Sequence, residues 1–140
     1  MNVNNGLHVF EVFEKIQEAK TKKDKVAILK ENNHWAVRDI IKGTMSAKIK
    51  WLLPEGKPPY RANRPESSPS NLLRKNQDFG YFMKGGKGGD LSSVKRESIF
   101  IGLLEAVHPK DAELVVNMIA KKPIKGITKK IVDEAYPGLL

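Results

Sequence analysis

The sequence contains no cysteine. That removes disulfides, thiolate nucleophiles and cysteine-based zinc sites, and it fits a reducing compartment. Long apolar runs are missing as well. The longest candidate, Ile99 to Leu104, is core-sized, whereas crossing a bilayer takes about 20 apolar residues. Met1 to Gly6 lack the basic and apolar regions of a secretory signal. A soluble cytoplasmic protein with no membrane partner is therefore expected. Hairpin signals are scarce: Asn5-Gly6 is the one Asn-Gly pair, and it lies at the terminus.

The materials of a catalytic centre are equally sparse. His8, His34 and His108 are isolated from one another and from acidic pairs at ligand spacing, so no metal and no cofactor is expected. His108, directly before Pro109, suits a helix cap. The Glu11/Glu14 and Asp133/Glu134 pairs are interleaved with lysines, as on a solvated helix face. Ser67, Ser68 and Ser70 lie among prolines without a glycine-flanked nucleophile turn. A phosphate loop of the Walker type fails around Gly86-Lys87. Tyr81 stands where its first glycine belongs, and Gly88 where its Ser or Thr belongs. The expectation is a protein that is not an enzyme.

What the chain does have is positive charge. Its 140 residues carry 25 Lys and Arg against 16 Asp and Glu, a net charge of +9. The length suits one domain with its own core, and the charge points to an anionic partner. The excess is uneven: residues 57–96 hold nine basic and three acidic side chains, residues 97–140 six of each. Within the latter, Lys121, Lys122, Lys125, Lys129 and Lys130 fall in ten residues without an acid.

Periodicity predicts an all-α fold, a single domain of six to seven helices over residues 1–140. Val9, Phe10, Phe13, Ile16 and Ala19 mark a first amphipathic helix, and Val26, Ile28 and Leu29 a second ending near Asn32-Asn33. A third runs from Trp35 to Gly43, and a short fourth holds Met45, Ala47, Ile49, Trp51 and Leu52. Five prolines make residues 54–70 an extended loop. A short helix over Asn71–Phe82 precedes a glycine-rich loop at residues 84–90. Helix resumes at Ser92 or Ser93, with Val94, Ile99, Phe100, Leu103 and Val107 on one face. Another follows Pro109 with Ala112, Val115, Val116 and Ile119, and a last one spans Ile127 to Tyr136.

Three constellations bear on binding. The glycines beside Lys84 and Lys87 either connect helices flexibly or let backbone N–H groups approach phosphates. Trp35, Trp51, Phe10, Phe13 and Phe100 have core spacing. Tyr60, Phe79, Tyr81 and Phe82 flank basic loops, where they either pack a short helix or stack on bases. At Gly126-Ile127-Thr128, a glycine precedes a helix start surrounded by lysines. The free N–H groups and the dipole of such a start suit a phosphate; the plainer reading is a helix–loop–helix join with solvated lysines.

The run Asp111-Ala112-Glu113-Leu114-Val115-Val116-Asn117-Met118-Ile119, then Gly126-Ile127-Thr128, then Ala135-Tyr136-Pro137-Gly138-Leu139, resembles the N-terminal DNA-binding domain of ATP-dependent DNA ligases. The compact form in T-even-type phage ligases is the most similar. Phe13, Ile16, Thr21–Lys25, Val26–Leu29 and Asn32 are compatible with its first helices, so the likeness covers about residues 10–140. It implies a phage-encoded, all-helical module in the host-cell cytoplasm that grips nicked or intact duplex DNA by its phosphate backbone, with little sequence specificity. Two helix starts would make the contacts: Gly126-Ile127-Thr128 with Lys129, and the turn before Ser93 with Lys95 and Arg96. The catalytic Lys-x-Asp-Gly motif occurs nowhere in the chain, so a stand-alone module without ligase chemistry is expected. The expected DNA-binding set is Lys84, Lys87, Ser93, Lys95, Arg96, Lys121, Lys122, Lys125, Gly126, Ile127, Thr128, Lys129 and Lys130. The alternative is a protein–protein module, a virion or replication component whose basic loops meet acidic protein.

Overall fold

Side chains that can accept a hydrogen bond from a free N–H punctuate this chain, and the helices begin where they stand. In the computed structural model, which describes residues 7–54 and 56–140, Thr21 caps α2 (Lys22–Glu31) by accepting from the Asp24 N–H at 3.1 Å. Asn71 caps α4 (Leu72–Lys75), which continues as a 3-10 helix over Asn76–Tyr81. Ser92 caps α5 (Ser93–Leu104) and Thr128 caps α7 (Lys129–Ala135). His108 caps α6 (Pro109–Ile119), its Nδ1 accepting from the Lys110 N–H at 3.0 Å, with Pro109 in the first turn. α1 (Val9–Glu18) closes differently, the His8 N–H donating to the Glu11 carboxylate at 2.8 Å. α3 runs from Trp35 to Met45. Each capped start satisfies N–H groups that the helix itself leaves unpaired.

The described residues form an all-α fold of seven helices. α2 packs on α7, α3 on α6, α1 on α2 and α6, and α5 on α6. One core joins them, with Val12, Phe13 and Ile16 of α1, Ile40 and Ile41 of α3, Phe100 and Leu103 of α5, and Val115 and Met118 of α6 all buried. No helix among the described residues is long and apolar enough to cross a membrane.

The Pro-rich segment has no regular helix beyond a 3-10 turn at Pro65–Ser67. It is nonetheless pinned to the α5–α6 corner. The Arg61 N–H donates to the Glu105 carboxylate at 2.7 Å, the Asn63 amide to the Glu105 and Val107 carbonyls, and the Ser70 N–H to Ala106 O at 2.8 Å.

Three expectations fail. Met45–Leu52 is not a helix: Trp51 forms an isolated antiparallel bridge with Met83. The Leu52 N–H donates to Phe82 O at 2.7 Å and the Lys84 N–H to Lys50 O at 2.8 Å. What read as helical spacing is an extended segment whose Trp51 indole reaches back to α3, donating to Gly43 O at 3.0 Å. That close approach explains a glycine inside a helix. A Cβ at Gly43 would lie 2.6 Å from both the Trp51 ring and the Met118 sulfur. Trp35, expected in the core, is 70% exposed, and Val94 is 79% exposed. Both sit in the first turn of their helices, before the buried stripe begins.

The chain is closed at its far end by Tyr136, whose buried hydroxyl donates to Leu29 O at 2.5 Å. Burial pushes that hydroxyl up to about 12, so it acts as a donor throughout the neutral range. Tyr136→Phe is expected to cost about 1 kcal/mol, the net worth of one buried hydrogen bond, since Leu29 O keeps the Asn32 N–H at 3.2 Å. A lower urea midpoint at unchanged m-value would register it, and an unchanged midpoint would deny the bond any net contribution.

Candidate nucleic-acid interface

The glycine-rich loop is built by packing. A Cβ at Gly86 would lie 2.3 Å from Gly80 O, and one at Gly88 would lie 2.3 Å from Tyr81 O and 2.7 Å from Tyr81 Cα. These glycines let the loop press against the backbone of the 3-10 helix, so their bare sides face protein. Gly85 has φ +82°, a second reason for glycine in the turn. Lys87 lies along Gly80 with its Nζ 4.4 Å above the Tyr81 ring. Lys84 is exposed.

Arg96 departs from its expected role. It is buried, and its guanidinium donates to Gly88 O at 3.1 Å and Leu91 O at 3.0 Å. Its charge holds the loop to α5 rather than reaching outward. Ser93 and Lys95 are exposed in the first turn of α5.

The C-terminal lysines, contiguous in sequence, point to different neighbourhoods. Lys121 has φ 55° and its Nζ donates to Ser46 O at 2.6 Å, tying the end of α6 to the end of α3. Burial and the charge of Lys50 lower its pKa. Lys125 shares a shallow cleft with Glu11, Glu14 and Glu18 of α1. Lys129 pairs with Asp133 at 2.7 Å across one helical turn. The absence of local acids therefore did not mean an absence of acids, because α1 supplies them from across the fold. Lys122 and Lys130 are exposed.

Gly126 also faces inward. Its φ is +85°, and a Cβ there would lie 3.0 Å from Lys25 Nζ and 3.5 Å from Gln17 Cα. Lys25 donates to Gly126 O at 3.2 Å. The glycine permits the turn and its packing on α1; a phosphate would have to approach Ile127 and Thr128 from the other side. Thr128 is exposed and Ile127 half-buried, the latter's N–H bonded to Ile124 O at 3.2 Å.

Sequence reasoning missed Lys50 and Lys48. The Trp51–Met83 bridge places Lys50 beside Lys84, and the Lys121 tether brings Lys121 within electrostatic reach of Lys50. Lys48 adjoins them, its N–H held by the Ser46 hydroxyl at 3.2 Å. Among the described residues none of these four lysines pairs with a carboxylate. Alternation around Trp51 was the available signal, but it was absorbed into a helical reading.

Of the loop aromatics, Phe79 and Phe82 are buried and Phe82 meets Phe100 edge-on at 5.2 Å. Tyr60 and Tyr81 stay half-exposed, beneath Lys57 and Lys87 respectively. Among the described residues no three metal-ligating side chains converge.

The model of DUF6433, a family of unknown function, matches residues 12–125. No curated protein matches the chain, and no solved structure does.

Proposed function

For this chain, which belongs to DUF6433, we propose a non-enzymatic role: it binds duplex DNA through the phosphate backbone, with little reading of sequence. The observation that carries this reading is the ridge of Lys50, Lys84 and Lys121, with Lys48 two residues before Lys50 in sequence. Three segments far apart in sequence bring like charges together. That arrangement costs electrostatic free energy, which an anion along the ridge would offset. Lys87, Lys95, Lys122 and Lys130 are exposed as well. The order of segments shared with the ligase DNA-binding domain supports the same reading, with a phage-encoded module in the host-cell cytoplasm as its setting.

Relative to the sequence expectation, the contacts shift. Arg96 and Lys129 are engaged within the protein, Lys125 shares a cleft with three glutamates of α1, Lys121 donates to Ser46 O, and Lys50 joins the set. Titration of nicked duplex, intact duplex and single strands at two salt concentrations tests the proposal. Log K is expected to fall by about 0.9 per unit of log salt for each phosphate neutralised. Replacing Lys50 and Lys84 with glutamine should weaken binding to every duplex sequence and flatten the slope by about 0.9 per lysine. The pair Lys125→Gln and Lys129→Gln should leave the slope nearly unchanged. Absence of duplex binding at low salt would overturn the proposal and favour an acidic protein partner.

A further inference from the structure

Both tryptophans of this chain line one cavity, of about 370 Å³, within the size range of small-ligand sites. One wall is a stripe of α3 bearing Trp35, Asp39 and Lys42 at i, i+4 and i+7; the facing wall includes Asn76. Trp51 forms part of the floor.

Among the polar groups of this cavity, Asp39 and Asn76 are linked to one another, beside the Lys42 ammonium and the Gln77 amide. Asn76 is more than nine-tenths buried, and its Nδ2 donates to Asp39 Oδ2 at 2.7 Å. That bond fixes the amide, leaving Asn76 Oδ1 as a buried acceptor with no partner. It also fixes the carboxylate, whose Oδ1 has no bond to any described residue and is free to accept. Burial raises the Asp39 pKa, while the Asn76 bond and the charges of Lys42 and Arg38 oppose that rise.

An aromatic pocket holding a carboxylate can take a cation or a neutral ring with adjacent N–H donors. The surrounding charge decides between them. Lys42 is the cation in the lining, and its charge already acts on Asp39. A second cation would enter against Lys42, whereas the phosphate of a nucleotide would be drawn to it. Among the four DNA bases, guanine alone offers two neighbouring donors, N1–H and N2–H, matched to the two oxygens of one carboxylate.

We propose that this cavity binds an unpaired guanine base, with the ring against Trp35 and Trp51, its donor edge on the Asp39 carboxylate, and its phosphate toward Lys42. Asn76 is a positioning residue that holds the carboxylate to the base. The inference goes beyond backbone binding and does not depend on it.

The two tryptophans supply the readout. With the intact chain, dGMP is expected to quench tryptophan fluorescence, and dAMP, dCMP and dTMP to bind at least about tenfold more weakly. Trp35→Phe should remove most of the quenching. Asp39→Asn, with an unchanged circular dichroism spectrum, should lose the preference for dGMP. The selectivity of the unmodified protein remains decisive if that variant unfolds. Equal response to all four nucleotides, no response at millimolar dGMP, or stronger quenching by arginine amide than by dGMP would overturn the proposal. An oligo-dT carrying a single dG distinguishes the source: tighter binding than dGMP assigns a strand, and equal or weaker binding a free nucleotide. Duplex binding is measured separately, so either function can fail without the other.

Discussion

Replacing Gly88 with alanine is expected to lower the unfolding free energy by about 3 kcal/mol, the upper end of the usual overpacking range. The atoms in the way are backbone: Tyr81 O at 2.3 Å and Tyr81 Cα at 2.7 Å from the new methyl. They cannot swing aside as a side-chain tip can. Any shift of residue 88 also disturbs the carbonyl that accepts from Arg96, whose guanidinium is buried and has little else to bind. Gly89 provides the comparison. A Cβ there would have its nearest neighbour, Gly86 O, at 3.8 Å, and its φ is not positive. Gly89→Ala should therefore change stability by less than about 0.5 kcal/mol. Urea melts of the two variants decide the matter. If both are tolerated, the loop is the loose connection that its composition alone suggests.

The second large effect is one of pH. Asp111 is fully buried, and its Oδ1 accepts from the Phe10 N–H at 2.8 Å. His8 Nδ1 lies 3.6 Å from the other oxygen, too far for a hydrogen bond. Burial pushes the carboxyl from 3.8 up to about 6, with the Phe10 N–H and His8 acting against it. The folded state thus holds this proton more tightly than the unfolded chain does. The stabilisation it provides is fully present below pH 3.8 and lost as pH rises to about 6. It amounts to about 3 kcal/mol in all. Asp111→Asn retains an acceptor for Phe10 and does not titrate. The stability of the wild-type chain relative to this variant should therefore fall by about 3 kcal/mol across that window. His108, whose pKa burial lowers, tilts the profile the opposite way in both proteins, so the difference at each pH reports Asp111 together with its interaction with His8. A flat difference would mean that the carboxyl titrates alike in both states.

Hydrophobic periodicity and capping chemistry made the helices legible. Ser92 and His108 announce their helix starts, Thr128 caps α7 where the spacing places it inside the helix, and Phe13, Ile16, Ile40 and Val115 are buried where their spacing places them. The Met45–Leu52 stretch misled because a tryptophan that bridges to Met83 and caps Gly43 has the same spacing as one on a helix. Clustered positive charge was legible in the sequence, but which lysines the fold leaves unpaired was not. Local charge counts identify Lys84 and Lys121, yet they cannot show that α1 brings Glu11, Glu14 and Glu18 to Lys125. Nor can they show that Arg96 turns inward or that Lys50 stands beside Lys84. Those are long-range pairings, invisible to any window of neighbouring residues. The cavity between Trp35 and Trp51 has the same origin, since its walls come from α3, the 3-10 helix and the Trp51 segment.

The bonds from Tyr136 to Leu29, from Asp111 to Phe10 and from Lys25 to Gly126 each close more than 100 residues of chain. During synthesis the first two helices therefore leave the ribosome long before the helices that cover them. At about 5–20 residues per second, the apolar faces of α1 and α2 wait on the order of ten seconds for α6 and α7. Until then the apolar face of α1, with Val26 and Leu29 of α2, lacks the helices that bury it.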